Sequence, residues 1–206
     1  LDLGAGERDE SQIAEQLADL GANLAGGADT DRASVSLRTL SARDKRDPAL
    51  DILKLVVTRP SFDAAILDRE KTRTIAALKE AMTRPDSIAG KAFWAALYPN
   101  HPYGRQAEPD TVAVIQRADV VAFHQRYYTA ANASVTLVGD LSRADAEKIA
   151  EALTADLPKG EAAPLPPAPG APAKGLKKLP HPASQAHIFI GLPTIERGNP
   201  DFFPLL

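Results

Sequence analysis

GANLAGGADTDRASVSLRTL, residues 21–40, is the stretch that decides the fold. Its second half alternates strictly, with Ala33, Val35 and Leu37 on one face and Arg32, Ser34, Ser36 and Arg38 on the other. Successive side chains of a strand point to opposite faces, so this is the pattern of a half-buried β-strand. A run of small residues, 23–29, precedes it, and Asp29-Thr30-Asp31 supplies turn chemistry between the two. The pair reads as an antiparallel hairpin.

Helices surround this hairpin in the sequence. Upstream, residues 9–20 (DESQIAEQLADL) place Ile13, Leu17 and Leu20 at helical spacing, with Gly21 as the C-cap. Downstream, residues 48–58 (PALDILKLVVT) form a buried helix with Pro48 in its first turn, stopped by Pro60. Ser61-Phe62-Asp63 opens a long helix to about Thr83, and Asp86 starts another through Trp94 and Leu97. Residues 100–109 (NHPYGRQAEP) are a loop, followed by short helices over 111–116 and 118–128. A strand is expected over 134–138 (SVTLV), ended by Gly139-Asp140, and then a helix capped by Ser142 that runs to about Ala155. Six prolines fall within 158–173, which reads as a semi-rigid linker, and a second strand is expected over 186–192 (AHIFIGL). This order predicts an α+β fold, an antiparallel sheet with helices packed on one face.

Bulk composition excludes some classes of function. Of the 206 residues, 44% are hydrophobic and 25% charged, as in ordinary globular proteins. A net charge of −3 gives no electrostatic basis for binding nucleic acid or an anionic membrane. There is no cysteine, so disulfides, thiolate zinc sites and a cysteine nucleophile are excluded. No apolar run approaches the ~20 residues of a membrane span. Both ends read as cut through structural elements, so a targeting segment is expected, if anywhere, outside this window.

No complete catalytic constellation is visible. The four histidines, His101, His124, His181 and His187, never show the i, i+4 spacing that aims two imidazoles at one zinc ion. There is no G-x-S-x-G and no phosphate-binding glycine loop. Asp63, Asp68, Glu70 and Glu80 are interleaved with Arg69, Lys71, Arg73 and Lys79, the mixture of a solvated helix face.

The ordered set of segments nevertheless resembles a known family. Residues 4–24 (GAGERDESQIAEQLADLGANL), 59–62 (RPSF), 97–104 (LYPNHPYG) and 127–140 (YYTAANASVTLVGD) carry the likeness, and 185–193 (QAHIFIGLP) and 197–203 (RGNPDFF) extend it. Together they are similar to the first lobe of an M16 (pitrilysin, insulinase and mitochondrial-processing-peptidase-like) metallopeptidase and the entry into its second. The resemblance implies residues 1–157 as a first lobe, 158–175 as linker and 176–206 as the start of a second lobe. It also implies an M16/LuxS-like metallohydrolase fold.

What the family implies for catalysis is specific. Active members hold zinc through an inverted H-x-x-E-H helix and a downstream Glu, with the Glu inside the motif activating water. The motif is absent here, and by the family register it would fall directly before Leu1. The downstream ligand falls on Ala77, seven positions after Glu70, and a methyl group cannot coordinate a metal. In a shifted register Glu70 itself is the ligand. Active members also carry Asn-Ala followed by Thr or Ser on the first hairpin strand, where this chain has Leu24, Ala25, Gly26, Gly27 and Ala28. The glycines mark either a bend or an edge open to strand addition by a peptide.

The resemblance therefore implies a non-catalytic subunit that holds no zinc and hydrolyses nothing alone. Such a subunit pairs with a zinc-bearing M16 subunit, or with a second copy of itself, and holds unfolded or extended peptide in a shared chamber for proteolysis. A periplasmic or otherwise exported location is expected, with the cytoplasm as the other option. Two alternatives stay open: an active zinc endopeptidase with the motif just upstream, and a structural core subunit.

Overall fold

The structure is a computed structural model, and it describes residues 2–205. The chain divides into two units, one of Leu1–Glu70 with Ile115–Pro164 and one of Lys71–Val114 with Leu165–Leu206.

The first unit begins with two short antiparallel strands, β1 (Gly4–Ala5) and β2 (Arg8–Asp9), leading into α1 (Glu10–Asp19). Asp9 caps α1 by accepting the Gln12 N–H at 2.8 Å, while the Gln12 side chain accepts the Asp9 N–H at 3.0 Å. This reciprocal pair satisfies two backbone donors that an α-helix leaves open at its N-terminus. The expected hairpin follows as β3 (Asn23–Ala28) and β4 (Ala33–Arg38). Its ladder is antiparallel and unbroken from Asn23↔Arg38 to Ala28↔Ala33. Val35 and Leu37 are half-buried while Ser34, Ser36 and Arg38 are exposed, so the alternation has its expected face. Asp29 closes the turn: its Oδ1 accepts the N–H groups of Asp31 and Arg32 at 2.9 and 3.0 Å.

Helix α2 runs Arg43–Thr58, five residues earlier than the sequence predicts, with Pro48 inside it. Proline lacks the N–H that would reach the carbonyl of Asp44, so one ladder bond is missing near the helix start, where few others are affected. Ile52 and Val56 of α2 meet Ile13 and Leu17 of α1 and Ala5 of β1 in the core, with Leu24 and Leu37 of the hairpin packed against it. Ala5 and Val56 are fully buried. The same unit holds the start of α3 (Ala64–Ala81), α6 (Arg117–Tyr127) and α7 (Arg143–Thr154), and α7 packs on α2. Ser142 caps α7 as expected, accepting the Asp145 N–H at 3.1 Å.

In the second unit, α4 (Pro85–Leu97) packs against a 3-10 turn at Pro102–Gly104, and α5 (Pro109–Ala113) follows. Residues 97–104 make an aromatic knot. Tyr98 stacks on Trp94 with centroids 5.8 Å apart, and Tyr103 stands edge-on to Tyr98 at 5.5 Å. A Cβ on Gly104 would collide with the Tyr98 carbonyl, so only glycine lets the turn close against α4.

Two sequence expectations fail. Residues 134–138 and 186–192 are not strands, and neither has a ladder partner among the described residues. The antiparallel sheet is instead two two-stranded ribbons, β1–β2 and β3–β4. Alternation reports which face of a segment is apolar and says nothing of what pairs with its edge. All of 186–192 is exposed, and its apolar contact is that of Phe189 with Phe93 at 5.7 Å.

The hairpin turn sets a pH dependence. The Asp29 carboxyl lies below its ordinary value of 3.8, first because the Asp31 backbone donates to it and then because of the Arg32 side chain and backbone. A depressed carboxyl stabilises the fold where it is ionised, so the contribution is complete above that ordinary value and disappears as the pH falls through the lower folded one. Amide exchange at Asp31 and Arg32 is expected to accelerate on acidification below the ordinary Asp range, and Asp29→Asn to remove most of that dependence. Exchange rates measured across pH by NMR, corrected for intrinsic rates, check this.

Candidate functional site

The candidate site rests on where α3 begins and what it carries. Backbone contacts pin the segment before it. Gly6 N–H donates to the Arg59 carbonyl at 2.8 Å, Ser61 N–H donates to the Gly4 carbonyl at 3.0 Å, and Ala5 bridges Pro60 between them. Phe62 then adopts φ +46°, a conformation that costs a non-glycine residue energy. Arg117 of α6 holds it there, donating Nε to the Phe62 carbonyl at 2.7 Å and its terminal guanidinium nitrogen to the Ser61 carbonyl at 2.9 Å. His124 adds an edge contact to Phe62 at 5.5 Å while its Nε2 bonds the Val57 carbonyl at 2.8 Å. Tyr128 stacks on His124 at 4.6 Å, and burial pushes its phenol up from 10.0. Asp63 accepts the N–H groups of Ala65 and Ile66 at 2.8 and 3.1 Å and starts the helix. Arg117 and His124 were invisible as anchors in the sequence, because their partners lie more than 50 residues away and no local pattern marks them.

Glu70 and Ala77 both lie on α3, two turns apart. Glu70 is engaged by its neighbour: Arg69 Nε donates to its Oε1 at 3.0 Å and also pairs with Glu10 through a terminal nitrogen at 2.9 Å. These two carboxylates, Glu10 foremost, raise the Arg69 guanidinium above its ordinary value. Ala77 offers a methyl. Among the described residues no group of three His, Cys, Asp or Glu side chains could hold a metal ion. The donor set present therefore does not fit zinc.

Three histidines bond backbone. His101, 4% exposed, accepts the Tyr103 N–H on Nδ1 at 3.2 Å and so donates Nε2–H to the Pro167 carbonyl at 2.8 Å, tying the proline-rich segment to the aromatic knot. His181 Nε2 bonds the Thr83 carbonyl at 3.2 Å. His124 is engaged as above, and His187 is exposed.

Leu24, Ala25, Gly26 and Gly27 all lie on β3, which pairs with β4 and has no second ladder partner among the described residues. The glycines make no bulge, since the register is continuous through Gly26↔Val35 and Gly27↔Ser34. A Cβ built on Gly26 meets nothing within 4 Å, and one on Gly27 meets only Ser34 Oγ at 3.5 Å. Packing within the described chain therefore does not require either glycine.

Comparison with known proteins places this architecture. A ribbon-and-helix unit whose long helix follows a pinned R-P-S-F segment is an M16-type α+β fold. Residues 3–110 match the family described as insulinase (Peptidase family M16), and residues 115–206 match the Peptidase M16 inactive domain. The chain belongs to the M16 family. A crystal structure of a peptidase M16 inactive domain from Pseudomonas fluorescens shares 39% identity at a TM-score of 0.81, over 83% of this chain and 42% of that one. The periplasmic protease PqqL from Escherichia coli shares the fold at a TM-score of 0.61 and 17% identity, over 84% of this chain and 19% of that one. An uncharacterized zinc protease of Rickettsia felis is 22% identical over 160 residues, 77% of this chain and 38% of its own length. The chain thus spans less than half of each of these relatives.

Gly26→Val is expected to leave the fold intact and raise stability by roughly 0.5–1 kcal/mol, because a strand glycine carries an entropic penalty and here no atom opposes the added side chain. Thermal and urea unfolding of the two proteins check it. A loss of stability would mean that the glycine serves a close contact inside the chain.

Proposed function

We propose that this chain is part of a non-catalytic M16 subunit that holds extended peptide for a zinc-bearing partner. The observation that carries the reading is Ala77. In the family register it stands where a metal-binding carboxylate would be, and among the described residues no group of three His, Cys, Asp or Glu side chains could hold a metal. No metal-dependent step is assigned to these residues.

What remains for the site to do is bind. A strand with one unpaired edge presents alternate N–H and C=O groups to an incoming peptide. On β3 that edge runs through Leu24, Ala25, Gly26 and Gly27. Residues 1–157 would form the first lobe, 158–175 the linker and 176–206 the start of a second lobe. The absence of helix and strand through 158–175, and the tether from His101 to Pro167, support a semi-rigid connector. The partner is a zinc-bearing M16 subunit or a second copy. An exported, periplasmic setting is favoured by the likeness to a periplasmic protease, and no described helix is long and apolar enough to cross a membrane.

The test uses the intact protein. It is expected to carry far less than one zinc per chain by elemental analysis, to leave an unfolded peptide uncleaved, and to bind that peptide by fluorescence anisotropy. The same peptide N-methylated on alternate amides is expected to bind more weakly, since it cannot donate to the β3 edge. Ala77→Glu alone is expected to create no hydrolysis. Stoichiometric zinc with cleavage by the unmodified protein would establish an active endopeptidase instead. Failure to bind peptide, alone or with a zinc-bearing M16 protein, would leave a structural subunit.

A further inference from the structure

Between β2 and the C-terminal end of α2 lie two neighbouring hollows of about 470 and 280 Å³, which share Arg8, Leu55 and Arg59 as walls. The backbone holds the two arginines in place. Arg8 pairs with Ala5 on one side, Ala5 bridges Pro60 on the other, and Gly6 N–H grips the Arg59 carbonyl at 2.8 Å. Both arginines border both hollows, so their long guanidinium arms can reach one small group there.

Neither guanidinium forms an ion pair among the described residues, in contrast to Lys54, which pairs with Asp156 at 3.0 Å. Gln12 also lines the larger hollow, and its Oε1 is committed to the Asp9 N–H, so its amide N–H2 remains free to donate. Guanidinium forks match a carboxylate's two oxygens. Charge limits the ligand further. The larger hollow sets Arg8 and Arg59 against Glu7, an excess of one positive charge. Both hollows together set Arg8, Arg59 and Lys54 against Glu7, Asp51 and Asp156, which is neutral. The larger hollow therefore favours a single negative charge, and its neutral surroundings add no attraction for a second. Leu55, common to both hollows, supplies an apolar wall beside the arginines.

We propose that this hollow is a binding site for a single carboxylate on an aliphatic stem, either a peptide C-terminus or a free aliphatic acid. The site shares no residue with β3 and does not depend on the function proposed for that edge.

Four probes test it on the intact protein by calorimetry and NMR: hexanoate, a short acetylated peptide ending in leucine with a free carboxylate, the same peptide amidated, and inorganic polyphosphate. The acid peptide is expected to bind and to shift the Gly6, Arg8 and Arg59 amides, and the amidated peptide to bind at least about tenfold more weakly. Binding of hexanoate as well identifies a site for any aliphatic acid, and its failure identifies a peptide terminus; both outcomes uphold the site. Arg8→Gln with Arg59→Gln should abolish binding. Arg8→Lys, which keeps the charge and loses the fork, should weaken binding with an unchanged thermal unfolding curve. Equal binding of acid and amide, tighter binding of a polyphosphate, full binding by the double variant, or no binding by either carboxylate probe would each overturn the proposal.

Discussion

The antiparallel contact between residues 4–6 and 59–61 is the constraint on which the rest of the first unit depends. It joins the strand before α1 to the chain leaving α2, so both helices are held at one end by the same backbone. Ala5, at its centre, is fully buried against Ile13, Ile52 and Val56, so the hydrogen bonds and the core fix one geometry together. Gly4 makes the contact possible. It sits at φ +139°, a conformation that residues with a Cβ rarely adopt, and a Cβ there would lie 2.5 Å from Ser61 Oγ, which would have to turn away. The direction in which α3 departs follows, because its first residues are the continuation of the pinned segment.

Strain is carried just after that contact. Phe62 holds a left-handed conformation, and the groups that oppose its relaxation come from α6: two hydrogen bonds from Arg117 and a ring contact from His124. His124 in turn bonds the last turns of α2 through the Val57 carbonyl. A helix distant in sequence therefore closes a loop of contacts running α2, the R-P-S-F segment, α6 and back to α2. Such strain persists only where surrounding structure over-determines it.

What the sequence disclosed followed from locality. Helix ends were legible because Asp9, Asp63 and Ser142 cap through atoms three residues away or fewer, and the hairpin was legible because alternation and an Asx turn act over a few residues. The α2 start was misjudged because Pro48 reads as a first-turn residue, although a helix tolerates it at its sixth position at the cost of one ladder bond. The two unformed strands were misjudged for a different reason: a strand exists only with a partner, and SVTLV and AHIFIGL specify an apolar face without specifying one. For the site, Ala77 and Glu70 were placed by family register alone. The Arg117 clamp and the Arg8–Arg59 pair depend on contacts across most of the unit and left no local trace.

The glycines of β3 connect fold to function most sharply. In a strand interior glycine normally marks a bulge or a tight internal approach, and both explanations fail here: the ladder is in register throughout, and the space above Gly26 is empty. Two strand positions thus forgo the stabilisation that a β-branched residue would contribute, with no return inside the described chain. On the proposed function, the adjacent glycines leave both faces of β3 bare beside its unpaired edge. An added peptide strand would use that edge, its amides reaching within about 3 Å of those on β3 as in any ladder.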